Sequence, residues 1–220
     1  MWSLMWSLKS YSSYGLGIDE DTALLLEDEV GTILGTNGAY FMDLTKATDH
    51  QKSSSDKSIE IDNIIVHYLT EGDSFNFKTR DITFANYKTS ISGNEKHTEI
   101  LPRNEDIFNS PDNHEWYPEL GENFRNVTTN LFDTRGVDTT YSYTWEDKPT
   151  FRVEFSKKGG DGFKGKSPVL KTEFISYKNL IVNVYNNDDT SATEGCCPTP
   201  YGICCSGACE HDCNTAVYLK

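Results

Sequence analysis

Three carboxylates in a row, Asp19, Glu20 and Asp21, follow two glycines in the stretch GLGIDEDTALLL and lead into an apolar run. Gly15 and Gly17 permit backbone shapes closed to other residues, and Ile18 can anchor the turn in a core while the acids project at its mouth. Such a turn can aim one carboxylate at an imidazole. A buried acid that holds a histidine in the correct tautomer and stabilises its charged form is the third member of a serine hydrolase triad. Taken by its composition alone, the same stretch is a solvated acidic turn that keeps a strand end soluble.

A second reactive set lies at the other end of the chain. All six cysteines, Cys196, Cys197, Cys204, Cys205, Cys209 and Cys213, fall in one short segment rich in Gly, Pro and Ser. A segment this small cannot build a hydrophobic core and must be stapled or stay loose. Disulfides are the first reading, and fifteen pairings are open. Thiolate binding of a metal, with His211 near by, is the runner-up, because the spacing lacks the C-x2-C knuckles of common zinc sites. Asn126-Val127-Thr128 is a glycosylation sequon. Together these features point to an extracellular or vacuolar setting.

The elements that must position these groups are mostly strands. TALLL, TILG, AYFMDL and IEIDNIIVHYL are extended runs, with Asn37-Gly38 read as a hairpin turn between the second and third. Residues 45–58 read as a polar surface loop, and TEGD as a turn before the resumed strand SFNF. From Thr140 onward YSYTW, TFRVEF, LKTEFISY and NLIVNVY read as four strands of an antiparallel sheet or small sandwich, joined by EDKP, KKGGDGFKGKSP and KN. Between the two regions one helix is expected, because Trp116, Leu120, Phe124, Val127 and Leu131 recur at helical intervals. The fold class expected is mainly β with little helix.

Several motifs of the first region carry a family likeness. GLGIDEDTALLLED, GAYFMD and VHYLTEGDSFNFKTR together resemble the closing segments of cyanophycinases, serine peptidases related to dipeptidase E, over residues 15 to about 80. The resemblance implies that residues 15–80 are the C-terminal strands of an incomplete α/β domain of the class I glutamine amidotransferase type. It implies Glu20 as the triad acid, with Asp19 and Thr22 as its structural neighbours. It also implies a peptide polymer as substrate, cyanophycin or a related aspartyl peptide, no cofactor, and a homodimer. The family's nucleophilic serine and base histidine lie upstream of the acidic turn. Here the fourteen residues before Gly15 contain no histidine and no arginine, and no serine sits in a Gly-x-Ser-x-Gly setting.

The chain is therefore expected to divide into an unrelated start at 1–14, the family-like segment at 15–80, a β-rich extension at 81–190 and the cysteine-rich tail at 191–220. The opening MWSLMWSLK repeats MWSL and has its first basic residue at Lys9, unlike a secretory signal. The expectation is that the native start lies upstream and that this chain alone is inactive. A net charge of −14 argues against nucleic-acid and anionic-membrane partners, which need a basic footprint. No apolar run approaches the roughly 20 residues that cross a bilayer. The competing reading is a non-catalytic binding or adhesive module, with Tyr141, Tyr143 and Trp145 as an aromatic platform.

Overall fold

The computed structural model describes residues 13–49, 60–98, 103–108, 124–144, 150–187, 196–199 and 202–205. Among these residues the fold is mainly β, with two main sheets that are antiparallel but for one pair of strands, a separate two-stranded ribbon and one short helix. Trp116, Leu120, Trp145, Cys209, Cys213 and His211 lie outside the described residues.

The first seven strands alternate between two sheets. β1 (Tyr14–Ile18), β4 (Gly38–Asp43), β5 (Thr48–Asp49) and β6 (Ile61–Thr70) belong to the large sheet. β2 (Thr22–Glu27), β3 (Val30–Gly35) and β7 (Ser74–Asn76), with β8 (Ile82–Thr83), make the small one, in the order β2-β3-β7-β8. β2 and β3 form a hairpin through Asp28-Glu29, where Asp28 takes the left-handed conformation that a two-residue turn requires.

Asn37-Gly38, expected as a hairpin turn, is a crossing between sheets instead. β3 pairs with β2 and β7, whereas β4 pairs with β1 and β6. Neither Asn37 nor Gly38 has a positive φ. Gly38 serves a close approach: a Cβ there would stand 2.5 Å from the Leu69 carbonyl oxygen and from the Tyr68 ring. The chain crosses again at Thr70–Asp73, where Gly72 has a φ of +79° and Asp73 Oδ2 accepts the Thr70 amide at 3.0 Å.

The large sheet continues past residue 80. β9 (Thr89–Ser90), β10 (Arg103–Asp106), β11 (Thr139–Tyr143), β12 (Phe151–Ser156), β13 (Asp161–Lys166) and β14 (Glu173–Asn186) all join it, in the central order β1-β4-β6-β14-β12-β11-β10. All these pairs are antiparallel except β10 with β11. LKTEFISY and NLIVNVY, expected as two strands, are the single 14-residue β14. Asn179, in the expected break, has a φ of +59°, and it absorbs an irregularity in the pairing with β6 without ending the strand. GGDGFKGK, expected as connector, contains β13. β12 and β13 lie end to end along one edge of β14, interrupted by the Lys157–Gly160 turn. Their glycines admit close neighbours: a Cβ on Gly165 would meet the Tyr87 carbonyl oxygen at 2.2 Å.

Of the expected run, the part among the described residues is helical, α1 (Phe124–Phe132). Phe124, Val127, Thr128, Leu131 and Phe132 are its buried face. Its two mid-helix threonines satisfy their hydroxyls on the helix itself: Thr128 Oγ1 donates to the Phe124 carbonyl at 2.7 Å and Thr129 Oγ1 to that of Arg125 at 2.8 Å. At its end Lys157 Nζ donates to the carbonyls of Leu131 and Thr134, at 2.8 and 2.5 Å, satisfying acceptors that a helix terminus leaves open.

β4 and β6 are buried on both faces. Tyr40, Met42, Val66 and Tyr68 face α1, whose Phe124, Val127 and Leu131 complete the main core with Phe155, Tyr177 and Val184. Ala39, Phe41 and Leu69 face the small sheet, where Ile33 and Phe75 close a second core. The result is three layers, small sheet, large sheet and helix. Beyond them β15 (Cys196–Thr199) and β16 (Gly202–Cys205) form a separate antiparallel ribbon.

Candidate functional site

The acidic turn joins the end of β1, the terminal strand of the large sheet, to the start of β2, the terminal strand of the small one. Its backbone is held at several points. The Asp19 amide donates to the Gly38 carbonyl at 3.0 Å, and the Thr36 amide donates to that of Asp21 at 3.1 Å. The Glu20 carbonyl accepts from Thr22 Oγ1 at 3.1 Å and from Asn37 Nδ2 at 2.9 Å. Asp21 has a φ of +51°, and Gly35 opposite it has a φ of +132°, with its missing Cβ leaving room for the Asp21 carbonyl oxygen. Thr22 thus acts on backbone, through one hydroxyl.

The two central carboxylates have different surroundings. Glu20 is exposed, and among the described residues no hydrogen bond or ion pair engages its carboxylate. Asp19 turns inward. Its Oδ2 accepts from the Tyr68 hydroxyl at 3.3 Å and lies 4.0 Å from Arg125 Nη1. Burial pushes the Asp19 carboxyl above its ordinary range, against the opposing pull of the Arg125 guanidinium and the Tyr68 hydrogen bond.

Arg125 is the residue that sequence reasoning missed. It sits in the first turn of α1, more than a hundred positions from the acidic turn, and donates to Asn37 Oδ1 at 2.5 Å. Asn37 in turn holds the Glu20 carbonyl, so the helix is linked to the acid-bearing turn through two side chains. No local pattern signals this pairing, since both residues read as polar surface positions.

A second constellation looks reactive and is sealed. Lys88 Nζ lies 2.7 Å from Asp73 Oδ1, both side chains having zero exposure. Ser176 Oγ donates to Asp73 Oδ2 at 2.6 Å and accepts from Lys88 Nζ at 3.0 Å. Thr70 Oγ1 accepts from Lys88 at 2.8 Å, and the Ala85 amide donates to Asp73 at 2.8 Å. Burial lowers the Lys88 ammonium below its usual range, opposed by the Asp73 charge. A serine beside a lysine is the chemistry of a nucleophile and its base. Here Ser176 is fully buried, so the network ties the end of β6 and the turn after it to β14 and to the residue before β9, away from solvent.

His67, on β6, accepts the Asn179 amide on Nδ1 at 2.9 Å, and burial lowers its imidazolium to a pKa of about 4. It ties β6 to β14 as a neutral ring. Asn126 is half-buried on α1, while Thr128 of the same sequon is fully buried and accepts from the Tyr177 hydroxyl at 2.9 Å. Tyr141 and Tyr143 lie on the outward face of β11, their rings 5.8 Å apart, with the Arg152 guanidinium 4.4 Å from the Tyr141 ring. The inward positions of that strand are Thr140 and Ser142. No helix among the described residues is long and apolar enough to cross a membrane.

No protein-family profile matches the sequence. No solved structure matches it either.

Proposed function

We propose that residues 15–80 are the acid-bearing part of a cyanophycinase-like serine peptidase, with Glu20 as the triad acid. The observation that carries this reading is the contrast within one turn. Its backbone is fixed from four sides and Asp19 is held inward, while Glu20 projects outward with no described partner. A triad acid works from a buried position by orienting an imidazole, so in this proposal the layer that carries the histidine covers Glu20 when it docks on the rigid turn. The position of the turn, between the terminal strands of both sheets, is where an α/β layer bearing the histidine and serine would add. In this proposal those two groups come from residues outside this sequence, and the chain alone does not hydrolyse peptides. The substrate class is a poly-aspartate polymer such as cyanophycin, cleaved through an acyl-enzyme.

The test is kinetic. Expressed as the continuation of a polypeptide that supplies a serine on a Gly-rich turn and a histidine, the chain should support cyanophycin hydrolysis. Glu20→Gln should then lower kcat by about 10⁴-fold, as loss of tautomer control does in other triads, without altering the melting temperature. An unchanged kcat removes Glu20 from the site.

The second reading, a binding module, is favoured by the outward Tyr141–Tyr143 pair with Arg152 stacked beside it. Aromatic rings with an adjacent guanidinium suit a glycan or polymer face. Retention of the intact chain on a polysaccharide column, lost in Tyr141→Ala, would support it, and equal retention of the two would dismiss it.

A further inference from the structure

Two backbone hydrogen bonds fix which way β2 turns its peptide groups. The Thr36 amide donates to the Asp21 carbonyl, so these two are a hydrogen-bonded pair one step beyond the Thr22–Gly35 end of the β2–β3 ladder. Amide and carbonyl groups alternate in direction along a strand. Ala23, Leu25 and Glu27 therefore turn theirs towards β3, like Asp21, and Thr22, Leu24 and Leu26 turn theirs to the other side. β3 shows the same parity, because the Ile33 amide, opposite Leu24, donates away from β2 to the Asp73 carbonyl. Among the described residues no strand pairs with the outer side of β2, the terminal strand of its sheet.

The side chains follow the same alternation. Leu24 packs against the second core, and Leu26, next on that face, is 59% exposed. Leu25 is exposed on the opposite face. A bare edge strand is ordinarily guarded by lysine, proline or a bulge. β2 has none of these, for TALLLE pairs with β3 in unbroken register. Its charges stand at its two ends, Asp21 at one and Glu27 and Asp28 at the other. All three are exposed, and among the described residues no hydrogen bond or ion pair engages their carboxylates. Glu29 beside them is taken by Lys78 at 3.1 Å.

The acidic ends decide the occupant. A second copy, paired antiparallel about Leu24 so that the whole strand is used, would set Asp21 of each chain against Glu27 of the other. Like charges directly opposite are destabilising. A strand with basic ends turns both of those repulsions into attractions. We infer that the outer edge of β2 takes an extended peptide of another protein as an added strand, a peptide apolar at alternate positions and basic at both ends. Thr22, Leu24 and Leu26 give it their outward amides and carbonyls, its apolar side chains cover Leu24 and Leu26, and its basic ends face Asp21 and Glu27. The inference goes beyond the Glu20 reading and does not depend on it.

The experiment is fluorescence anisotropy of the intact chain with a labelled peptide, Lys-Val-Thr-Val-Thr-Val-Lys, at low salt. Its acid-ended twin, Glu-Val-Thr-Val-Thr-Val-Glu, should bind about tenfold or more weakly, because two favourable pairings become unfavourable. With the peptide centred on Leu24, its valine amides face β2 and its threonine amides face solvent. N-methylation of the central valine should therefore weaken binding about fivefold or more, and N-methylation of a threonine should leave it unchanged. Leu26→Pro removes an outward amide that β3 does not use, so the melting temperature should hold while peptide binding is lost. The two methylated peptides decide the matter even if that variant melts early. Equal binding of the twins, equal effects of the two methylations, or no saturable binding overturns the proposal. So does a chain that is dimeric at low salt and becomes monomeric with Leu26→Pro, since that result gives the edge to a second copy.

Discussion

At the scale of single residues, the molecule keeps its most reactive-looking groups away from solvent. Lys88 and Asp73 are a fully buried ion pair, and removing one partner strands the other in a low-dielectric interior. Lys88→Met should cost about 3–5 kcal/mol of stability, read by urea unfolding, and a loss under about 1 kcal/mol would mean that water reaches Asp73. His67 gives a pH signature. Its folded pKa of about 4 lies below the ordinary value of 6.5, so the unfolded chain binds the extra proton first as pH falls. The neutral ring's contribution is complete above about pH 6.5, is lost as pH falls from there towards 4, and is flat below. Thermal melts of the native chain should show that loss, and His67→Gln should flatten it. Arg125→Ala should loosen the acidic turn without unfolding the sheet. Amide exchange at Glu20 and Asp21 should then rise while that of Val66 stays slow.

At the scale of elements, what was legible in the sequence was what depends on period. Phe151, Val153 and Phe155 alternate with half-buried Arg152 and Glu154 along β12, and Phe124, Val127 and Leu131 line the buried face of α1. What was not legible depends on partners far along the chain. Asn37-Gly38 has the composition of a hairpin, yet Leu69 and Tyr68 crowd that point from another strand. β13 carries Gly162 and Gly165 where Ile91, Phe132 and the Tyr87 backbone press on it, a constraint invisible locally. Of the candidate site, the acidic turn between two strands was readable, while the Arg125–Asn37 link was not. Glycine tests separate crowding from simple strain. Gly35→Ala must meet the Asp21 carbonyl oxygen at 2.2 Å, whereas Gly93→Ala, also at positive φ, meets nothing within 4 Å. The second should cost about 1–2 kcal/mol, the left-handed penalty alone, and the first clearly more, by thermal melting. Equal costs would show that the turn gives way.

At the scale of the whole molecule, surface charge and strand order act together. β1 and β2 are terminal strands of their sheets, and Leu25, Leu26 and Leu34 are exposed beside them. Terminal strands template further pairing, and a net charge of −14 opposes it between like chains. Self-association measured by sedimentation should therefore increase with salt, as screening shortens the repulsion to about 8 Å at physiological ionic strength. Association that weakens with salt would assign the contact to ion pairs instead.

The large sheet is centred on β6 and β14, whose registered contact includes the Asn63 amide on Asn183, 120 positions later. A ribosome adding about 5–20 residues each second therefore exposes β6 for some 6–24 seconds before its neighbour is even synthesised. During that interval Ile64, Val66 and Tyr68 have no cover from β14, and the nascent chain is at its most vulnerable to capture by chaperones or proteases. Slower synthesis through residues 70–180 lengthens that exposure in proportion.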